Sequence, residues 1–179
     1  MVRPNSTVVA IVGDAAGRMV AGLDGLANVR AVSRAPGDDA ERRVRAAVAQ
    51  SHAAYVVHDL DPLADVGAAW TGFFDGVAPA GTLEVAVEAA LHTLRAETIA
   101  LPDYYVVLDP EALPQTRRHW WFGVLAGVSP NRVVPSAADV GAVREVIGTL
   151  RSGRWWPDPP DEWLRGLGRV VPDRAVLAG

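Results

Sequence analysis

Lysine and cysteine are missing from this chain of 179 residues; all 17 basic side chains are arginine. Without cysteine there is no thiol nucleophile, no disulfide and no thiolate site for zinc or an iron–sulfur cluster. Without lysine there is no P-loop amine to reach the β- and γ-phosphates. A Schiff base with a carbonyl substrate or with pyridoxal phosphate is excluded for the same reason. No apolar run reaches about 18 residues, so no segment is expected to cross a bilayer. The start of the chain has no signal-peptide h-region or cleavage site, so the cytoplasm is the expected compartment. The excess of acid is small, with 21 Asp and Glu against 17 Arg and a net charge of −4. That balance gives no electrostatic reason to bind nucleic acid or an anionic membrane. No metal or organic cofactor is expected.

What is present is an alternation of two periodicities. Short β-branched runs stand at Thr7 to Gly13, Val29 to Ser33, Ala54 to His58, Tyr104 to Leu108 and Arg132 to Pro135. The first is apolar throughout, as a strand buried on both faces requires. Helical patterns fill the intervals: Ala15 to Leu26, Asp39 to Gln50 after the breaker Pro36-Gly37-Asp38-Asp39, Leu63 to Phe74, Gly81 to about Thr98, Glu111 to Leu125, and Ala137 to Leu150. Strand–helix alternation predicts a three-layer α/β domain with a five-stranded parallel sheet. The expected strand order is the flavodoxin-like 2-1-3-4-5. The domain is expected to span residues 1–151. Residues 152–179 change character, with Trp155, Trp156 and Trp163 among prolines. Such a segment is expected to pack back on the domain; the alternative is a docking surface or a homodimer contact.

In open parallel sheets, ligands bind beyond the carboxyl ends of the strands where the order reverses. The predicted order puts that point between the first and third strands. Asp14 follows the first strand, His58, Asp59 and Asp61 end the third, Asp109 follows the fourth and Ser136 the fifth. Carboxylates and a histidine at one edge suit a ribose diol, a hard cation or general acid–base work. Asp at strand ends also makes turns and caps. A further segment, Pro114 to Gly123, sets Arg117, Arg118 and His119 beside Trp120, Trp121 and Phe122. It suits an anionic or planar ligand, held by bidentate contact and stacking; equally, the aromatics could be core and the arginines surface. The helix from Gly81 carries Glu84, Glu88, His92 and Arg95 on one face.

The stretch Tyr55 to Asp61, the acidic loop after it, and Gly81-Thr82-Leu83-Glu84 followed by Tyr104 to Leu108 resemble the nucleoside deoxyribosyltransferases and their nucleotide N-glycosidase relatives. The resemblance implies a flavodoxin-like sheet and chemistry at the N-glycosidic bond of a nucleoside or nucleotide. Glu84 would be the nucleophile, Asp59 and Asp61 would hold sugar or base, and Arg117 or Arg118 would meet a phosphate. Two departures stand out. Glu84 follows Thr82 by two residues instead of three, and Pro79-Ala80 replaces the acidic residue before the Gly-Thr pair. A second likeness, through Ala54 to Pro62, is to receiver domains. There Asp59 would take the phosphoacceptor place and Asp14 the acidic position after the first strand; the missing lysine implies a catalytically inactive pseudo-receiver module. Three expectations follow: a small-molecule-binding protein acting on a glycosidic bond, a regulatory module, or a scaffold whose acidic strand ends are only caps.

Overall fold

The five β-branched runs form one parallel sheet: β1 (Thr7–Val12), β2 (Val29–Val32), β3 (Tyr55–His58), β4 (Tyr104–Leu108) and β5 (Val133–Ser136). The structure is a computed structural model that describes residues 6–33, 40–150 and 156–172. The helices are α1 (Ala16–Gly22), α2 (Ala40–Gln50), α3 (Ala64–Phe74), α4 (Ala80–Arg95), α5 (Gln115–His119), α6 (Ala126–Val128), α7 (Val140–Thr149) and α8 (Asp161–Arg165). The α/β architecture is as expected. The breaker at Pro36 to Asp39 and Trp155 of the tail lie outside the described residues.

The strand order differs from the expected one. It is β2-β3-β1-β4-β5, with β1 and β3 exchanged. All six residues of β1 are buried, so β1 needs a strand on each side and helices on each face. A local device fixes its partner at the amino end of β4. The Val8 N–H donates to the Asp103 carboxylate at 2.8 Å, and the Asp103 N–H donates back to the Val8 carbonyl at 2.7 Å.

The sheet's two faces carry separate cores, because alternate residues of a strand point to opposite sides. Val9 and Ile11 of β1, with Tyr104, Val106 and Leu108 of β4, pack on α1 and α7. Ala10 and Val12, with Tyr105 and Val107, pack on α3, α4 and the aromatics of residues 120–125. Ala10 is level with His58 on one side and Tyr105 on the other, so these three share the second face.

The expected helix from Glu111 to Leu125 is broken. A 3-10 turn (Pro110–Ala112) comes first, then α5, then a π-helical turn (Trp120–Leu125) that runs into α6. Leu113 is extended ahead of Pro114, as a residue preceding proline must tend to be. The C-terminal segment packs on the domain. Trp156 is buried and its indole N–H donates to the Pro102 carbonyl at 2.7 Å. Leu164 and Leu167 are fully buried, and the Trp70 indole N–H donates to the Leu167 carbonyl at 3.1 Å. Outside this seam, Arg165 pairs with Glu88 at 2.7 Å and Arg95 pairs with Asp161.

Candidate functional site

The exchanged strands move the topological switch. The connection after β1 leaves toward β2, and the connection after β4 leaves toward β5; these two strands are neighbours. The reversal therefore lies between β1 and β4, not between β1 and β3. Gly13, at φ +125°, closes β1 against β4: a β-carbon there would stand 3.1 Å from Leu108 Cβ. Asp14 beside it is exposed. Asp109 is a turn residue, at φ 43°, and its carboxylate accepts the Ala138 N–H at 2.9 Å. Asp59 lies over the first turn of α1, its Oδ2 being 3.0 Å from where a Gly17 β-carbon would be.

His58 is buried under the sheet edge, and burial pushes its imidazole down to about 4. The Leu60 N–H donates to Nδ1 at 3.2 Å, so the neutral ring carries its proton on Nε2. This histidine is a neutral core group at physiological pH.

Asp61 has the most perturbed carboxyl near the strand ends. The residue keeps some exposure, but its carboxyl is turned inward, and desolvation raises its pKa to about 6. The Leu63 N–H donates to Oδ1 at 2.9 Å and opposes that rise, as does the positive charge of Arg117. The buried Tyr105 hydroxyl also faces this carboxyl, but without reaching hydrogen-bonding geometry; its own pKa is pushed far up by burial and then by Asp61. Arg117 does not coat the surface as a solvated arginine would. Burial lowers its pKa, the charge of Asp61 raises it, and its guanidinium lies 5.5 Å from the centre of the Trp121 ring. The approach of α5 to α3 depends on Gly67. A β-carbon there would meet Trp120 Nε1 at 2.6 Å and Arg117 Nη1 at 2.9 Å. Trp120 is fully buried and its indole N–H has no hydrogen-bond partner among the described residues.

A cleft of about 790 Å3 opens beside this cluster, over the carboxyl ends of β4 and β5. Phe74, Phe122 and the His119 ring supply its flat apolar walls, and Pro110 and Pro135 stiffen its floor. His119 itself stacks on Trp70, at 6.0 Å and 12°. Its ring fits because residue 123 is glycine; a β-carbon there would meet it at 2.5 Å. Asp75, Glu111, Gln115, Thr116 and Arg118 bring polar atoms to the rim. The Thr116 hydroxyl donates to Asp75 at 2.6 Å, and Arg118 pairs with Glu111 at 2.6 Å. A cleft of this size, with aromatic walls and a few converging polar groups, has the form of a small-molecule site. A π-turn in one wall is a further feature common at functional sites.

Of the residues singled out in the sequence, Arg118, His119 and Phe122 line this cleft, while Arg117 and Asp61 do not. Nor does Glu84. It is exposed on α4, lines no part of the cleft, and is not among the charges acting on Asp61, which are Arg117 and Asp65. Asp75 was not singled out, and Phe74, Gln115 and Thr116 were given no role of their own. Their one signal is placement: α3 ends at Phe74, and the Pro114 break starts a new helix opposite it. Among the described residues no group of His, Asp and Glu could hold a metal ion, and no helix is long and apolar enough to cross a membrane. No protein family, curated protein or solved structure matches this chain.

Proposed function

We propose that this protein binds an uncharged, flat, hydroxyl-bearing small molecule of the nucleoside type in the cleft between α3, α5 and the ends of β4 and β5. The observation that carries this reading is the charge pattern. Of the two adjacent arginines, Arg118 pairs with Glu111 at 2.6 Å and Arg117 is turned onto the Trp121 ring, 5.5 Å from its centre. The rim then holds two carboxylates, Asp75 and Glu111, against one guanidinium. The Arg118–Glu111 pair is exposed and loosely held. Its effect is to cancel local charge and so remove the attraction for a phosphate. What remains suits ring stacking on Phe74, Phe122 and His119, and hydroxyl groups donating to Asp75 and Glu111. The reading rests on the cleft and involves no nucleophilic Glu84.

A thermal-shift comparison of adenosine, inosine, uridine and cytidine with their 5′-monophosphates tests it. A nucleoside at 100 times its dissociation constant should add about 2.7 kcal/mol of stability and raise Tm by several degrees. The matching monophosphate should shift Tm less. Phe122→Ala should abolish the nucleoside shift. A larger shift with the monophosphates, or none with any nucleoside, would overturn the proposal.

A further inference from the structure

Trp70 of α3 is fully buried, and its contacts join the aromatic wall of the cleft to the C-terminal segment. Its ring stacks on His119 at 6.0 Å and 12°, and its centre lies 4.7 Å from that of the Phe74 ring. Both of those residues line the cleft. Its indole N–H donates to the Leu167 carbonyl at 3.1 Å. The same carbonyl accepts the Val170 N–H at 3.1 Å, at the close of a 3-10 turn (Leu167–Arg169). One acceptor therefore ties this turn to the side chain behind the cleft. Past the turn Val170 is extended, and two residues later Pro172 lines the same cleft as Phe74 and His119. Leu164 and Leu167 are fully buried, so the segment reaches the cleft from a fixed base. The surroundings are apolar. Among the described residues four large hydrophobic side chains are exposed: Val77, Val85, Val170 and Val171. Three of them stand within two positions of a cleft-lining residue, Val77 after Asp75, and Val170 and Val171 before Pro172. Uncovered apolar groups gathered around a cleft mark a place where a ligand is covered.

We propose that Pro172 is a ligand-contacting residue of the cleft and that Trp70 is its positioning residue, acting through the Leu167 carbonyl. The contact with ligand rests on the cleft being the binding site; the hold of Trp70 on the C-terminal segment does not. A proline side chain offers apolar surface at almost no cost in side-chain entropy, which suits it to lie against a flat ring. Pro172 belongs to neither of the two buried cores, so the contact can be removed without emptying them. The ligand is then held by residues from α3, from the Gln115 to Phe122 wall and from the C-terminal segment together.

The chain has no cysteine, so a single introduced thiol reports on one place. Pro172→Cys puts it in the cleft wall. Gly148→Cys is the control, on α7 against the other face of the sheet, with nothing within 4 Å of the new carbon. The rate of maleimide reaction is measured on the full chain with and without saturating adenosine. It is measured again with Trp70→Phe added, which keeps a ring beside His119 and Phe74 but has no N–H to donate. Adenosine should slow the Pro172→Cys thiol several-fold and leave the Gly148→Cys thiol unchanged. Without ligand, Trp70→Phe should speed the first several-fold and not the second. Trp70→Met, apolar, adaptable and without a donor, is the second variant if Trp70→Phe does not fold. Pro172→Ala should weaken adenosine binding several-fold at an unchanged ligand-free Tm. Adenosine that binds without slowing the Pro172→Cys thiol would overturn the contact, as would full affinity in Pro172→Ala. A rate that ignores the loss of the Trp70 donor would overturn the positioning role. So would a rate that rises equally at both positions, as general loosening of the fold would make it. If adenosine does not bind, the ligand reading fails and the contact with it, and the rates without ligand still decide the role of Trp70.

Discussion

Gly67 shows how a single missing side chain shapes this site. Alanine would favour the helix by about 0.5–1 kcal/mol. Its β-carbon would also enter the space held by Trp120 Nε1 and Arg117 Nη1, and overpacking of that kind costs about 1–3 kcal/mol. Gly67→Ala should therefore lower the urea midpoint. Gly148→Ala in α7, where nothing lies within 4 Å of the new carbon, should raise it. Glu84→Gln should leave nucleoside binding unchanged in a thermal-shift assay, because Glu84 is exposed and away from the cleft. At this scale the sequence was half legible. The residue types of the Arg117 to Phe122 segment mark a site, and Arg118 and His119 line it. That the Asp61 carboxyl would be desolvated was not readable, because the groups that bury it come from distant parts of the chain and no periodicity links them. Glu84 was drawn in by the Gly81-Thr82 helix start and its likeness to a family motif, and neither says whether the side chain meets solvent, as it does.

All five strands could be read from their β-branched runs, because a strand covered on both faces has almost no choice of composition. Their order could not. Right-handed crossovers are compatible with β1 on either side of β3, and the choice depends on side-chain contacts at the strand ends. Asp103 supplies one of them. Its carboxylate takes the Val8 N–H, and its own N–H pairs with the Val8 carbonyl. Asp103→Ala leaves the Val8 N–H buried without its acceptor, a loss of about 1–3 kcal/mol. It should lower Tm and speed amide exchange at the amino ends of β1 and β4, while β5 stays protected. The displaced cleft has the same origin as the displaced order: with β1 beside β4, the carboxyl ends that open toward helices α3 and α5 are those of β4 and β5.

Across the whole molecule, two buried groups work against each other as pH falls. His58 is held neutral, with its pKa lowered to about 4. The stability tied to it is present above about 6.5 and is lost as pH drops toward 4. Asp61 has its pKa raised to about 6. The stability tied to its protonated form is present below about 4 and is lost as pH rises through 6. Each is worth roughly 3 kcal/mol at 1.36 kcal/mol per pKa unit, with opposite sign over the same window. Urea midpoints of the wild type should therefore change little between pH 4 and 6. Those of Asp61→Asn should start higher at pH 7.5 and fall steeply with acid. The seam made by the C-terminal segment has a further consequence, one of timing. The Trp70 indole waits for the Leu167 carbonyl, and Pro102 waits for Trp156. While the chain is being made, every strand emerges before these partners exist. The nascent sheet must then leave the ribosome with one flank of its core still open, closed only when the later segment follows it out.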